Sequence, residues 1–446
     1  MAFTLLALIC AFSNVAYASF SYTIGTLGSS YRNGSSSGTF RSVAYFVDWS
    51  IYERNFVPQD LKIDSLTHVL YAFGSINATT AEIQLADSYA DIEKRFPGDS
   101  QDESGRNLYG CLKQLFLLKK KKRNLKTLFS IGGYTYSPSF SIVSATQAGR
   151  KRFASSAVRM IQDLGFDGID IDWEFPANST EAKNMVLLLR EVRSALDNYS
   201  SKYGNNTRLL LSVASPAGPS AYKKLHFRAM DRYVDFWNLM AYEYSGSWSP
   251  RAAHSANVYA SASHPCSTPF NTDQAINYYI SHGVDPKKIN LGIPLYGKSF
   301  ANTSGPGAPF EGVGAGEWDG SSGIWDYKSL PQPGATVYEL DQPVASYSYD
   351  KEKKVMISYD TPNIVRWKGQ YILRKGLGGG MYWETSGDKS GNESLIGTLV
   401  NELGGSRVLD QSQNLLNYPA SKFDNLRAGF ETPAGDSENR TCQLSL

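Results

Sequence analysis

Eight short apolar segments recur along the chain, and a longer segment with helical periodicity follows most of them. The apolar segments lie at 43–47, 68–73, 126–131, 168–173, 209–214, 236–240, 289–293 and 380–383. The helical patterns include 108–122, 147–164, 180–203, 271–283 and 361–375. Several apolar segments are nearly continuous, which is typical of parallel strands covered by helices. The sequence therefore predicts an α/β fold, a (β/α)8 TIM barrel over 41–427, with a doubly wound open sheet as the alternative.

The interval between the seventh apolar segment and the last of these helices has a different pattern. Residues 336–340, 345–349 and 354–359 form short alternating runs between turns rich in Gly and Pro. This pattern predicts a small α+β domain at 297–358, inserted in the seventh βα loop. Because the loops after barrel strands build the active site, we expect the insertion to wall one side of a cleft.

The fourth apolar segment carries a row of acids. Residues 167–174 read Asp-Gly-Ile-Asp-Ile-Asp-Trp-Glu, and side chains alternate along a strand, so Asp170, Asp172 and Glu174 share one face. Three inward acids repel one another, which should raise at least one pKa toward the range a general acid needs. A metal site is the alternative, but no His is nearby and the chain has five in all. We expect neither a metal nor a cofactor, and we expect the acid to be Glu174 at the strand end.

Four motifs together resemble the glycoside hydrolase family 18 chitinases. The octapeptide is similar to the family's Asp-Gly-x-Asp-x-Asp-Trp-Glu signature, and Ser-Ile-Gly-Gly at 130–133 resembles its Ser-x-Gly-Gly motif. Met-Ala-Tyr at 240–242 resembles Met-x-Tyr, and Gly-Gly-Met-Tyr-Trp at 379–383 resembles the end of strand eight. The likeness runs from about 43 to 427, is greatest to single-module secreted chitinases of filamentous fungi, and extends to the family's insertion domain. It implies chitin and chito-oligosaccharides as partners.

The resemblance also implies a mechanism, namely retaining hydrolysis of β-1,4 bonds in which the substrate's own N-acetyl group is the nucleophile. Glu174 would be the general acid and base, and Asp172 would orient the acetamido group. Asp170 would share a proton with Asp172. Tyr242 would hold the acetamido group from the opposite side.

Further positions are implied to bind substrate. Trp383 would stack under the sugar beside the scissile bond, and Trp49 would serve a more distant sugar; core packing is the alternative for both. The other implied substrate-binding residues are Tyr134, Glu243, Lys298, Gly133 and Met240. This chain departs from the family pattern with Tyr134 for Trp, Glu243 for Asp, Phe175 for Tyr and Lys298 for Arg.

Two rival functions share the scaffold. A chitin-binding, lectin-like protein with weak or no activity would typically lack the acid at position 174, which this chain has. An endo-acting enzyme on protein-linked glycans would share the acids, but the predicted insertion suits an extended polymer better.

Charge and chain ends complete the expectations. The chain has 44 Lys plus Arg against 42 Asp plus Glu, which gives no basic field for nucleic acid, and we expect a monomer with no membrane contact. The basic run at 119–123 is expected to be a solvated helix end. Residues 1–18 predict a signal peptide and extracellular secretion, 19–40 a flexible leader or propeptide, and 428–446 a polar tail.

Sequons and cysteines fit secretion without a disulfide framework. After cleavage the chain would keep Cys111, Cys266 and Cys442, an odd number. Glycosylation sequons begin at Asn33, Asn77, Asn178, Asn198, Asn205, Asn302, Asn392 and Asn439.

Overall fold

The computed structural model describes residues 38–204 and 206–430. The predicted signal peptide, almost all of the predicted leader and all but the first three residues of the predicted tail lie outside these residues. Within them, no helix is both long and apolar enough to cross a membrane.

Eight parallel strands close into a barrel, which confirms the predicted fold class. The strands of the described residues are β1 (Arg41–Val47), β2 (His68–Asn77), β3 (Glu82–Leu85), β4 (Lys126–Gly132), β5 (Gly168–Asp172), β6 (Leu210–Pro216), β7 (Phe236–Met240), β8 (Ile289–Pro294), β9 (Tyr296–Phe300), β10 (Ile324–Asp326), β11 (Thr336–Leu340), β12 (Ala345–Asp350), β13 (Val355–Ser358) and β14 (Gly379–Trp383). The barrel order is β1-β2-β4-β5-β6-β7-β8-β14, and β1 pairs with both β2 and β14. This closure excludes the doubly wound open sheet. All eight predicted segments are barrel strands, while β3, which pairs antiparallel with β2, was not predicted.

Helices cover the barrel from outside. They are α1 (Gly110–Lys121), α2 (Gly133–Tyr136), α3 (Pro138–Ser144), α4 (Gln147–Leu164), α5 (Ser179–Tyr203), α6 (Pro219–Tyr222), α7 (Phe227–Met230), α8 (Thr272–Ser281), α9 (Pro362–Lys375), α10 (Leu395–Leu403) and α11 (Asp424–Arg427). Local chemistry sets their ends. The Thr146 side chain accepts a hydrogen bond from Gly149 N–H at the start of α4, and Gly165 ends that helix with φ 81°.

A second sheet lies between β8 and α9. Its five strands are antiparallel in the order β10-β9-β13-β12-β11, and it has a small apolar cluster of its own made by Ala252, Phe300 and Met356. The interval predicted as an insertion thus forms a separate sheet. The exact limits 297–358 and 41–427 remain predictions.

The basic run at the end of α1 was expected to be a solvated terminus, and this holds for the exposed Lys121 and Arg123 but not for Lys119. The Lys119 side chain is fully buried, with Nζ 2.8 Å from Asp167 Oδ2 and 2.7 Å from the Gly165 carbonyl oxygen. Tyr418, far along the chain, covers it and places its hydroxyl 3.0 Å from Nζ. The prediction failed at Lys119 because it considered only the helix itself, without the chain that packs over it.

The barrel interior is mostly apolar. Its inner cluster comprises Val43, Tyr45, Val47, Leu70, Ala72, Phe73, Leu128, Phe236 and Met381. Acids and amides of β5, β7 and β8 interrupt this cluster, and the carboxyl end of β5 opens into a cleft.

Candidate active site

Strand β5 carries the acid row from the barrel interior to its rim. Asp170 is 0% exposed and Asp172 is 4% exposed, and Glu174, two residues beyond, is half-buried at the edge of the cleft. In the sheet register Asp170 lies between Ser130 of β4 and Ser212 of β6. The alternation of the strand therefore brings the three predicted acids to one face.

Asp170 is surrounded by hydrogen-bond donors. Its Oδ2 accepts from Tyr45 OH at 2.9 Å and Ser130 Oγ at 2.8 Å, and its Oδ1 accepts from Ser212 Oγ at 2.6 Å and, more weakly, Asn238 Nδ2 at 3.5 Å. Burial raises the pKa of Asp170, while these donors act in the opposite direction because they stabilise the ionised form. The net effect leaves the pKa of Asp170 above its usual range, and the donors limit the increase that burial causes.

Asp172, unlike Asp170, lacks hydrogen-bond donors around its carboxyl group in the part of the chain that the structure describes. Its Oδ1 is buried and has no hydrogen-bond partner among the described residues. Burial, together with the charges of Glu174 and Asp170, raises the pKa of Asp172 well above the usual range for an aspartic acid. The proton of this pair therefore belongs on Asp172. The sharing of a proton between Asp170 and Asp172 remains a prediction.

Glu174 has the pKa that a general acid requires. Burial raises the pKa of Glu174 to about 7, and the charge of Glu243 adds to the increase. Its backbone N–H donates to Ser137 Oγ at 2.7 Å, and the Ser137 hydroxyl contacts the Asp172 carbonyl oxygen at 3.2 Å. Ser137 thus clamps the backbone at the end of β5, which holds the carboxyl of Glu174 at the rim.

A cleft of ≈ 500 Å³ opens above these acids. Eight of the predicted site residues line it: Asp172, Glu174, Tyr242, Trp383, Trp49, Tyr134, Glu243 and Met240. Asp170, Gly133 and Lys298 are not part of its surface. A Cβ on Gly133 would lie 2.7 Å from the Phe73 ring, so the absence of a side chain there makes room for a ring that does line the cleft.

Aromatic rings form the floor of the cleft. The Trp383 ring stacks on Phe73 with centroids 5.7 Å apart and meets the edge of Tyr45 at 5.1 Å. Trp49, which is 42% exposed, lies 6.2 Å from Phe73, and Tyr134 is 85% exposed at the mouth. Flat, partly exposed rings of this kind bind the apolar faces of sugars.

Glu243 is fixed opposite the acid row. Its Oε1 accepts from Tyr296 OH at 3.0 Å and lies 3.0 Å from Lys298 Nζ. Lys298 Nζ in turn lies 5.4 Å from the centroid of the exposed Trp248 ring. Lys298 therefore acts on the cleft through Glu243 rather than from its surface.

Tyr242 is poised as a donor. Burial, with the charges of Asp172 and Glu174 next in effect, raises the pKa of Tyr242 well above its usual range, so its hydroxyl keeps its proton. Within the described residues, the one hydrogen-bond contact of this hydroxyl is with Met381 Sδ at 3.7 Å, a weak acceptor.

Sequence reasoning missed Tyr45, Ser212, Asn238 and Tyr296 as members of the site. The available signal was a polar residue within a mostly apolar strand, as at Asn238, the one polar residue of β7, and at Ser212, one of two serines in β6. Which acid these residues contact depends on strand register, which the pattern does not contain. The described residues contain no group of three or more His, Cys, Asp or Glu that could hold a metal ion.

A closed parallel barrel with a row of acids that ends in a carboxyl of pKa about 7, at the surface of a cleft with aromatic walls, is typical of a glycoside hydrolase. Residues 41–388 match the model of the glycosyl hydrolases family 18, and the chain belongs to this family. It is 51% identical over 394 residues to endochitinase 1 of Metarhizium robertsii, covering 88% of this chain and 92% of that protein. It is 50% identical over 391 residues to chitinase 1 of Aphanocladium album, covering 88% and 91%.

Solved structures show the same architecture. The catalytic domain of psychrophilic chitinase B from Arthrobacter TAD20 superposes with a TM-score of 0.75 at 30% identity, covering 84% of this chain and 97% of that one. A class V chitinase from Nicotiana tobaccum, solved in complex with NAG4, gives 0.69 at 26% identity, covering 82% and 99%.

Proposed function

We propose that this chain is a chitinase that hydrolyses β-1,4 bonds between N-acetylglucosamine residues of chitin and chito-oligosaccharides. The observation that carries the proposal is the carboxyl of Glu174, which lies at the cleft surface with a pKa raised to about 7. The high identity to fungal proteins named chitinase or endochitinase supports this substrate class.

The neighbouring carboxyls favour a substrate nucleophile over a protein nucleophile. Asp172 carries a proton, which makes it a poor nucleophile, and Glu243 is engaged by Lys298 and Tyr296. The acetamido carbonyl oxygen of the bound sugar is then the nucleophile for the anomeric carbon, and the anomeric configuration is retained.

The reaction proceeds in two steps. Glu174 donates its proton to the leaving glycosidic oxygen while the acetamido oxygen bonds to the anomeric carbon and gives an oxazolinium ion. Glu174, now ionised, takes a proton from a water molecule. The water oxygen bonds to the same anomeric carbon, and the bond from that carbon to the acetamido oxygen breaks, which opens the oxazolinium ring. Asp172 orients the acetamido group, Tyr242 donates to it from the other side, and Trp383 supports the sugar from below.

Product formation from an unmodified chito-oligosaccharide tests the proposal, with Glu174→Gln as the matched variant. We expect wild-type turnover and a fall of ~100-fold or more in the variant, with binding retained, because general acids contribute on that scale. Binding without wild-type turnover would favour the lectin-like alternative, and glycan release from a glycoprotein would favour the other rival.

Secretion as a monomer is the remaining part of the proposal, and it rests on the sequence. Residues 1–18 have the apolar stretch and small-residue pattern of a signal peptide. The mature protein should therefore be recovered from culture medium with an N-terminus after Ala18 and a monomer mass in light scattering. Retention in the cell with an intact N-terminus would contradict this.

A further inference from the structure

A hydrogen-bonded chain runs around the barrel interior from its amino-terminal end to Asp170. Arg41 Nε donates to Asn290 Oδ1 at 3.0 Å, and Asn290 Nδ2 donates to Asn238 Oδ1 at 3.0 Å. Asn238 Nδ2 then reaches Asp170 Oδ1 at 3.5 Å. Asn238 and Asn290 are both 0% exposed, so water does not compete for these groups.

The sheet register explains how these hydrogen bonds continue from strand to strand. Asn238 of β7 is the direct partner of Asn290 of β8, and Gly379 of β14 stands between Asn290 and Arg41 of β1. Gly379 has no side chain, and at the adjacent Gly378 a Cβ would lie 1.9 Å from Arg41 Nη2, so both glycines leave room for the guanidinium. Arg41 can therefore reach across β14 to the amide of Asn290.

Arg41, at the start of these hydrogen bonds, determines which group donates and which accepts in each of them. A guanidinium donates five hydrogen bonds and accepts none. Burial lowers the pKa of Arg41 to about 10, which still leaves it a cation at neutral pH. It also donates to the Lys287 carbonyl oxygen and packs 5.3 Å from the Phe236 ring, which holds it in place.

Each amide then has one favourable orientation. Because Arg41 can only donate, the oxygen of Asn290 must face Arg41 and its nitrogen must face Asn238. The oxygen of Asn238 accepts from that nitrogen, and so the nitrogen of Asn238 faces Asp170. An ionised Asp170, which only accepts, favours the same orientation from the other end, and without the cation that end alone would hold the two amides.

We propose that Arg41, Asn290 and Asn238 are positioning residues that keep an amide N–H directed at Asp170 and so keep the proton of the acid pair on Asp172. This inference rests on the proposed function, since it concerns how the same acid row is prepared for the reaction. None of the three residues lines the cleft.

In the described parts of the chain, few other titratable groups lie near the hydrogen bonds that join Arg41 to Asp170. Tyr45 of β1, Asp172 of β5 and Tyr242 after β7 act on Asp170, while Asp410, Asp235, Asp285 and His68 act on Arg41. The tyrosines keep their protons because burial raises the pKa of both. The acidic limb of the pH–rate profile therefore reports on the Asp170–Asp172 pair.

Three variants separate orientation from packing. Asn290→Asp keeps the acceptor for Arg41 but cannot donate, so the two carboxylates compete for the nitrogen of Asn238; the added charge also raises the pKa of Asp170, and the Arg41 variants, which add no carboxylate, are the check on that effect. Arg41→Met removes the cation from a half-buried site, and Arg41→Lys restores a group that only donates. Removing a donor from the ionised form raises the pKa of Asp170, so the acidic limb moves to higher pH.

The experiment measures the pH profile of kcat/KM on a chito-oligosaccharide, with thermal melting to confirm folding. We expect the acidic limb to rise by about 1 pH unit in Asn290→Asp, in the same direction but less in Arg41→Met, and to stay at the wild-type position in Arg41→Lys. A fall in kcat without a shift of the limb in the folded variants would overturn the proposal, because it would indicate a packing role alone.

An NMR titration of the Asp170 carboxyl does not depend on turnover, so it tests the positioning role independently of the proposed function. In protein with 13C-labelled aspartate carboxyl carbons, the Asp170 resonance, assigned by its loss in Asp170→Asn, should titrate at higher pH in Asn290→Asp than in wild type. A shift in an enzyme without chitin hydrolysis would support the positioning role and contradict only the function. An unchanged Asp170 titration would overturn the positioning role even in an active chitinase.

Discussion

Lys298 and Glu243 form an ion pair with 3.0 Å between Nζ and Oε1, and the pair joins the second sheet to the rim of the barrel. Lys298 belongs to β9, and Glu243 follows β7. The charge of Glu243 contributes to the raised pKa of Glu174, so this contact couples the inserted segment to the catalytic acid.

Replacing Glu243 with Gln should lower the pKa of Glu174. Glu174 must be protonated to act as the acid, so wild-type kcat/KM should fall as pH rises through about 7, and the variant's basic limb should lie at lower pH. We expect a shift below about 1 unit, because Glu243 is partly exposed and already paired with Lys298. The pH profile should be measured on an unmodified chito-oligosaccharide, since a good leaving group needs less acid.

Glu352→Gln is the matched control, because Glu352 is exposed in the turn between β12 and β13 and does not line the cleft. The basic limb of the pH profile of Glu352→Gln should coincide with that of the wild type. A Glu243→Gln limb at the wild-type position or above it would contradict the assigned coupling.

Tyr134→Trp should strengthen binding at the cleft mouth. Tyr134 is 85% exposed, so a larger ring can be added without displacing packed neighbours. A wider stacking face is worth about 1 kcal/mol, which corresponds to a KM about fivefold lower for substrates long enough to reach it. Tyr89→Trp, also exposed but away from the cleft lining, is the control and should leave KM unchanged. An unchanged KM in Tyr134→Trp across substrate lengths would place the sugar elsewhere.

The barrel strands could be predicted from sequence because each is a short apolar segment, and this pattern can be seen without knowing which other segments pack against it. Segments such as Phe236–Met240 are apolar along almost their whole length and buried on both faces, and this strand was predicted with its observed bounds. The short strands β9 and β10 were missed because three to five residues between glycines carry little periodicity. Helix α10 has only nine residues, too few for a helical period to stand out in the sequence, although its buried residues Leu395, Leu399 and Leu403 have that spacing.

The acids of the site were predicted for the same local reason, and their partners were not. Alternation along one strand places Asp170, Asp172 and Glu174 on a common face. The donors to Asp170 come from other strands, with Tyr45 125 residues and Asn238 68 residues away in the chain. Only the closed barrel and its register bring them together, and this is why the difference between Asp170 and Asp172 could not be predicted.

Asp91→Asn should stabilise the protein more as pH rises. Asp91 is 1% exposed, its Oδ1 accepts from Tyr71 OH, and burial raises the pKa of Asp91 to about 8. The folded protein thus holds a proton that the unfolded chain releases near pH 4, so this group lowers the free energy of unfolding as pH rises from about 4 to about 8.

Asparagine has no such proton to lose. The melting temperature of the variant relative to wild type should therefore increase by about 2 °C or more between pH 5 and pH 9. Asp319→Asn, at an exposed position, should show no pH-dependent difference. A constant difference for Asp91→Asn over this range would mean that Asp91 is ionised throughout.

Lys119→Met should destabilise the protein through the charge it leaves behind. Asp167 would keep the backbone N–H groups of Thr127 and Leu415, each at 2.7 Å, but would lose its buried cation. Breaking one side of a buried pair costs about 3 kcal/mol or more of unfolding free energy, measured by urea denaturation. Lys121→Met, exposed on the same helix, should cost little. In the double variant Lys119→Met/Asp167→Asn much of the loss should be recovered, because no charge then remains buried without a partner; equal losses in the single and double variants would show that packing of the lysine side chain, and not the ion pair, stabilises this corner of the barrel.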